Sequence, residues 1–307
     1  MRRRQAVIGI AAAAALAVRP ARAQTPVKMR VGIGFIESHA QGYYAADMGF
    51  FRRNGLDVEL HQLQLGAVVA EGVASGELEA GQANLFSILA GRQHGIPFVI
   101  IAPSSLIDIN DPPHDLLVSA KGSPYKTAKD LNGQTVGVFS IGGAQQMFVS
   151  NYVDKNGGDS TTLKFLPVSP SAMVPTLLQG RVVAVDLSDP QLSASRDEIQ
   201  VIGNEFAAIA PRFLEGAWFT STPWLAKNKD AARRFADAII AAGQWSMKNQ
   251  EAAAKILAKY TKVTEERAKV PFGTTLDPAL VQPICDTAAR YKMLQPMKAT
   301  DVIWDGK

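Results

Sequence analysis

The sequence predicts an α/β protein of two similar lobes, each a mostly parallel sheet with helices on both faces, with a cleft between them. Three observations carry that expectation. Short β-rich runs alternate with helical stretches that stop at glycine. Four of these elements recur in the same order at offsets of 101 to 105 residues. The chain has 307 residues, 47% hydrophobic and 20% charged, which is enough for about two cores and too apolar for a disordered protein.

Taken in order, residues 29–35 read as a strand, 39–53 as an amphipathic helix ended by Asn54-Gly55, and 57–63 as a second strand. Residues 68–74 read as a helix stopping at Gly76, 78–83 as extended chain, 85–93 as a helix stopping at Gly95, and 98–102 as a buried strand. The recurrence aligns Val31-Gly32-Ile33-Gly34 with Val136-Gly137-Val138-Phe139, and Val58-Glu59-Leu60 with Leu163-Lys164-Phe165. Residues 76–80 align with 180–184, and 98–102 with 199–203. Later helices read at 230–245, 250–260, 265–270 and 278–291. Their apolar faces are too extensive to stand alone, so they should return to cover the first lobe. The expected lobes are residues 24–115 with 212–307, and 116–211, with crossings near 111–115 and 211–217.

Residues 1–23 read as a signal peptide: Arg2, Arg3 and Arg4, an apolar run over 6–18, Pro20, then Ala21-Arg22-Ala23 as the cleavage signal. The run is shorter than the roughly 20 residues of a membrane-spanning helix. These residues hold five of the 32 basic side chains and none of the 28 acidic ones, so the exported chain is nearly neutral and no nucleic-acid partner is expected. The consecutive arginines allow twin-arginine export, but Gln5-Ala6-Val7 after them matches that signal poorly, so the general route stays open as well. No second stretch is long and apolar enough to span a membrane. Cys285 is the only cysteine, which excludes an internal disulfide and lipid attachment at the mature N-terminus. His39, His61, His94 and His114 are isolated, so no metal or other cofactor is expected.

Catalytic patterns are equally thin. There is no Gly-x-Ser-x-Gly, His-Glu-x-x-His or phosphate loop, and Gly32-Ile33-Gly34 meets Glu37 where a dinucleotide motif needs its third glycine. Ser123-Pro124-Tyr125-Lys126 matches Ser-x-x-Lys by letter only, inside a proline turn. No catalytic residue is assigned.

The segment Tyr43-Tyr44-Ala45-Ala46-Asp47-Met48-Gly49-Phe50-Phe51-Arg52-Arg53-Asn54-Gly55-Leu56-Asp57-Val58-Glu59 resembles the opening of the first lobe in periplasmic substrate-binding proteins of the NMT1/THI5-like, sulfonate/nitrate/taurine group. Residues 177–186 and 128–138 resemble that family's second-lobe helix-to-strand junction and entry strand. The resemblance implies a type II periplasmic binding fold that passes a small molecule to the membrane permease of an ABC importer, as a non-enzymatic monomer. The implied ligand is anionic or mixed polar and aromatic, such as a sulfonate, carboxylate or pyrimidine. A periplasmic enzyme or a sensory ligand-binding domain on the same fold is the alternative. The pyrimidine synthases of the wider family use a cysteine-rich motif that this chain lacks.

In open parallel sheets ligands sit beyond the C-terminal strand ends. That rule selects Phe35, Glu37, Ser38 and His39, then Asn84, Ser104, the loop of Ser140, Gly142, Gly143 and Gln145, and finally Asp186 and Ser188. Trp218 joins Phe35 as a stacking wall, with Tyr43 and Tyr44 equally readable as core. Gly142-Gly143 before a helix lets backbone N–H groups approach an anion, or simply makes a turn. The serines and Asn84 serve equally as helix caps. Glu37 and Asp186 pull the other way, toward an amine or protonated heterocycle, unless they face solvent. No arginine lies in these loops, so phosphate and sulfate are disfavoured.

Overall fold

A computed structural model describes residues 25–63, 66–189, 191–261 and 268–306. The leader reading at 1–23 lies outside them, as does residues 265–267 of the helix read at 265–270, whose described residues 268–270 are not helical.

The first lobe begins with β1 (Val27–Ile33), α1 (Gln41–Asp47), α2 (Phe50–Arg53) and β2 (Leu56–Gln62). One helix was expected over 39–53. Gly49 breaks it by adopting φ +73°, a left-handed conformation that costs glycine little. Then come α3 (Gly66–Ser75), β3 (Ala80–Asn84), α4 (Leu85–Gln93) and β4 (Phe98–Pro103). The chain leaves through β5 (Leu106–Asp108). The second lobe holds β6 (Asp115–Ala120), β7 (Thr135–Val138), α5 (Ala144–Lys155), β8 (Lys164–Pro167), α6 (Met173–Leu178), β9 (Ala184–Ser188), α7 (Gln191–Ala194) and β10 (Ile199–Gly203). The return runs through β11 (Arg212–Leu214) into β12 (Gly216–Ser221), followed by α8 (Thr222–Lys248), α9 (Gln250–Thr261) and α10 (Pro278–Arg290).

The two sheets have one topology. Their orders are β2-β1-β3-β12-β4 and β8-β7-β9-β6-β10, with four strands parallel and the fourth position antiparallel in each. Register repeats too: Val31 sits opposite Leu60 and Ala80, and Val136 opposite Phe165 and Ala184. These are the residues the sequence recurrence aligned. The antiparallel strands β6 and β12 were not foreseen; each begins at the end of a stretch read as a crossing and runs on past it.

One core packs β1 and β4 against α1, α2, α8 and α9, centred on Trp218, Phe235 and Tyr44. A second fills the opposite face with α3, α4 and α10 and runs on into the second lobe through Met147, Phe148 and Phe206. Two smaller cores cover the two faces of the second sheet. The late helices therefore cover the first lobe. Among the described residues no helix is long and apolar enough to cross a membrane.

Among the described residues one sheet joins the lobes, pairing β5 with β11, antiparallel, Ile107 opposite Phe213. Behind it Phe206 packs edge-on against Phe148 at 4.9 Å and Phe213 at 6.1 Å between ring centroids. The Tyr291 hydroxyl donates to Asp154 at 2.7 Å, tying the end of α10 to α5. Phe213 is fully buried in this ribbon. Phe213→Ala should cost about 3–5 kcal/mol of stability, read as a lower urea midpoint; an unchanged midpoint would show that the ribbon contributes nothing to folding.

Candidate functional site

The parallel strands of both sheets point their C-terminal ends at the β5–β11 ribbon. Gly216, just past β11, pairs with Asn84 at the end of β3, and Asp115, just past the first crossing, pairs with Ser188 at the end of β9. The loops selected from the sequence therefore gather at one place, although they do not all face it.

On the first-lobe side, Phe35 and Ile36 are exposed at 38% and 39%. Glu37 is buried and accepts the backbone N–H groups of Lys269 and Val270, the latter at 3.0 Å. Burial pushes its pKa up, against the pull of those two N–H groups. Its bonded oxygen thus anchors the segment leading to α10. His39 is half-buried beside Gly34 and neutral, its pKa pushed down to about 4 by desolvation. Ser104 donates to the Ser38 carbonyl at 3.3 Å and accepts from Gln82 at 3.1 Å, all within the lobe. Asn84 caps α4, its side-chain oxygen accepting from the Ser87 N–H at 2.8 Å. Trp218 corrects the reading of a stacking wall: it is fully buried, donates to Gln41 at 2.9 Å and packs on Phe235. A buried central strand has no room to present that indole to a cleft.

On the second-lobe side, the Ser140–Gln145 loop is turned partly inward on itself. The Phe139 N–H donates to Gln145 Oε1 at 2.7 Å, and the Gly142 N–H to Gln146 Oε1 at 2.8 Å. Gly143 N–H reaches the Ser140 carbonyl at 3.4 Å. Of the loop expected to offer backbone N–H groups and the Ser140 hydroxyl, the Gly142 N–H is thus already taken, while the first turn of α5 has no side-chain cap. Gly142 is required by its φ of +72°, and a Cβ on Gly143 would lie 2.3 Å from Ser140 Oγ.

Beneath the first turn of α5 lies a cluster that sequence reading found only in part. Asp186 is 2% exposed and Glu205 fully buried, and oxygens of these two and Asp115 lie within 4.8 Å of one another. Glu205 accepts the Leu117 N–H at 2.9 Å, and Ser188 donates to Asp115 at 2.7 Å. Burial raises all three pKa values; the neighbouring acids add to it, Asp186 on Asp115 and Glu205 on Asp186. Glu205, with Asp115 beside it, rises to about 7. Asp186 Oδ1 and Glu205 Oε1 have no hydrogen-bond partner. Across the crossing Ser105 donates to Glu215 at 2.5 Å, and the Glu215 charge reaches Asp115. Lys269 of the first lobe meets Asp189 of the second at 3.5 Å. Glu205, Glu215, Asp189 and Lys269 carry no motif, and only the pairing of distant strands brings them here.

Two lobes of one topology, joined by a two-stranded ribbon with polar loops of both gathered at it, define the class of bilobal binding folds. Solved structures agree. The aliphatic sulphonate binding protein of Escherichia coli superposes with a TM-score of 0.73 at 17% identity, over 91% of this chain and 92% of that one. The nitrate-binding protein of Synechocystis gives 0.72 at 14% over 91% and 86%, and a ligand-binding component of an ABC-type import system from Staphylococcus aureus gives 0.76 at 13% over 91% and 96%. No curated protein sequence matches. The family model described as NMT1/THI5 like matches residues 36–253, and the chain belongs to that family.

The acid cluster and the two desolvated histidines, His39 and His114, set opposite pH limits. Glu205 is about 7 when folded against an ordinary 4.5, so its stabilising share is whole below 4.5 and lost as pH rises through 7. His39 and His114 sit near 4 against 6.5, so theirs is whole above 6.5 and lost as pH falls toward 4. The unfolding temperature should therefore fall from pH 6 to 8 in the native protein and fall less in Glu205→Gln. Parallel curves for the two would mean the carboxyl is not protonated in the fold.

Proposed function

We propose that this chain is an exported solute-binding protein that captures a small organic molecule between its lobes and delivers it to the permease of an ABC importer. The observation that carries this reading is the convergence of both sets of strand ends on a single two-stranded connection, in a chain of the NMT1/THI5-like family. A narrow ribbon lets two rigid lobes approach around a ligand with little repacking. Residues 24–115 with 212–307 form one lobe and 116–211 the other. The leader at 1–23 directs the chain to the periplasm and is removed after Ala23. The similar solved proteins are named for sulphonate and nitrate binding and for ABC-type import, which supports the transport role.

Phe35, Asn84, Ser140, Gln145, Asp186 and Ser188 are the residues we place at the ligand, while Ser38, His39, Ser104 and Trp218 support them from the lobe interior. Binding without turnover is part of this reading. A thermal-shift screen of the mature chain against sulfonates, carboxylates, pyrimidines and amines tests the reading. A true ligand at about 100 times its dissociation constant adds roughly 2.7 kcal/mol of stability. Turnover of a probe by the purified protein, or no stabilisation by any class, would overturn it.

A further inference from the structure

Resting on that cleft reading, we infer that residues 268–273 form a strap on the first lobe whose Lys269 clamps the second lobe at Asp189, and that this clamp holds the lobes closed before any solute arrives. Glu37 is the positioning residue: it fixes the backbone from which Lys269 reaches across.

The strap is tied to the first lobe residue by residue. The Ala268 N–H donates to the Gln250 carbonyl at 3.0 Å, the Lys269 and Val270 N–H groups to Glu37 Oε1, and the Gly273 N–H to the Ser104 carbonyl at 2.8 Å. Between them the Pro271 carbonyl accepts from the Leu106 N–H at 2.9 Å, and Phe272 forms a bridge with Ser105. Chain outside the helices and sheets still has to place its backbone donors and acceptors, and here nearly every one goes to the first lobe. Ser104, Ser105 and Leu106 lead from β4 into β5, so the strap lies along the start of the first crossing. Glu37 supplies the one side-chain acceptor, and it serves the two residues at and beside the lysine.

Asp189 on the second lobe is held just as firmly. Its N–H donates to the His114 carbonyl at 3.0 Å, and its Oδ1 accepts the N–H of Ser193 at 3.0 Å and the Ser193 hydroxyl, in the first turns of α7. Oδ2 is the oxygen that meets the Lys269 ammonium, at 3.5 Å. Ion pairs between exposed side chains lose much of their gain in ordering two flexible chains. Here the strap backbone and the carboxylate are already ordered, so only the lysine stem remains to be fixed. The Glu37 carboxyl feels the charges of both Lys269 and Asp189, which gathers the three groups in one place. Glu37 follows β1 and Asp189 follows β9, so the clamp ties a strand-end loop of one lobe to a strand-end loop of the other.

A second contact between the lobes shows by contrast why this one can open. Where α10 meets α5, Tyr291 bonds Asp154 and Arg290 bonds Asn151 at 3.3 Å, but Met147 and Phe148 of α5 also lie in the first lobe's core. Parting that seam would expose core to water. An ion pair can part and be solvated at both ends, so the clamp is the contact that changes as the lobes separate. A contact made only in the closed arrangement favours it whether or not solute is present. The resting protein is therefore mostly closed, and solute enters during its open excursions.

The test is single-molecule energy transfer on the mature chain, without solute, between dyes on Met48→Cys and Leu178→Cys. Both side chains are exposed, at the ends of α1 and α6, while Cys285 is buried. In low salt the closed population should dominate, and Lys269→Met should lower the closed-to-open ratio about threefold, the scale of an ordered ion pair. Asp189→Asn keeps an acceptor for Ser193 and should do the same, and the double variant no more than either. About 1 M salt should lower the native ratio and leave the Lys269→Met ratio where it is. Glu37→Ala should match Lys269→Met, and Glu37→Gln, which keeps an oxygen for both N–H groups, should restore the native ratio. An open native population, an unchanged ratio in Lys269→Met, or additive effects of the two clamp variants would overturn the clamp. A lower unfolding temperature in Glu37→Ala with an unchanged ratio would overturn the positioning role. Lys269→Met alters a partly exposed side chain and reads the clamp by itself if Asp189→Asn does not fold. No solute enters this measurement, so a thermal-shift screen without a hit would end the solute-binding reading and leave these populations to decide the clamp.

Discussion

Connectivity at the β5–β11 ribbon governs the rest of the molecule. Each crossing strand hands on almost at once to a strand that inserts antiparallel into the next sheet, β6 after β5 and β12 after β11. Because the inserted strand starts at the ribbon and runs against its neighbours, those neighbours must end there. A whole set of loops is thereby delivered to one place by two short crossings. The same insertion places Trp218 in the middle of a buried sheet, where its N–H needs Gln41, and places Asp115 beside Ser188.

Electrostatics at the crossing follow from that delivery. Carboxyls from β6, β9 and the turn after β10 come together out of water with no lysine or arginine between them, and burial drives each toward its neutral form. Glu37 shows the contrasting use of an acid. It is equally buried, but two backbone N–H groups take one of its oxygens, so it fastens the 268–270 segment to the first lobe. Buried acids at strand ends of the two lobes thus have different work, set by whether donors reach them. The loop before α5 uses donors in the same way: its Phe139 and Gly142 N–H groups bond Gln145 and Gln146 of that helix.

Periodicity and glycine stops were enough to place the strands Val27–Ile33, Leu56–Gln62, Phe98–Pro103 and Ile199–Gly203 within a few residues, and the recurrence at 101 to 105 residues matched Val31 to Val136 as the register later did. These features are local: side chains alternate along a strand and recur along a helix whatever surrounds them. The family resemblance was legible for the same reason, in a contiguous run from Tyr43 to Glu59. Strands β6 and β12 were not, because a short apolar run beside a crossing has no periodicity long enough to distinguish it from linker. Of the site, the loops at strand ends were named correctly as places, while the direction of Trp218, His39 and Ser104 was not. Burial of a side chain depends on what packs over it, and that comes from α8, from β4 and from the segment after α9, far away in sequence. The sequence by itself determined the elements, their duplication and the family; only the tertiary structure decided which acids meet, since Asp115, Asp186 and Glu205 are neighbours solely through the pairing of β6 with β9 and β10.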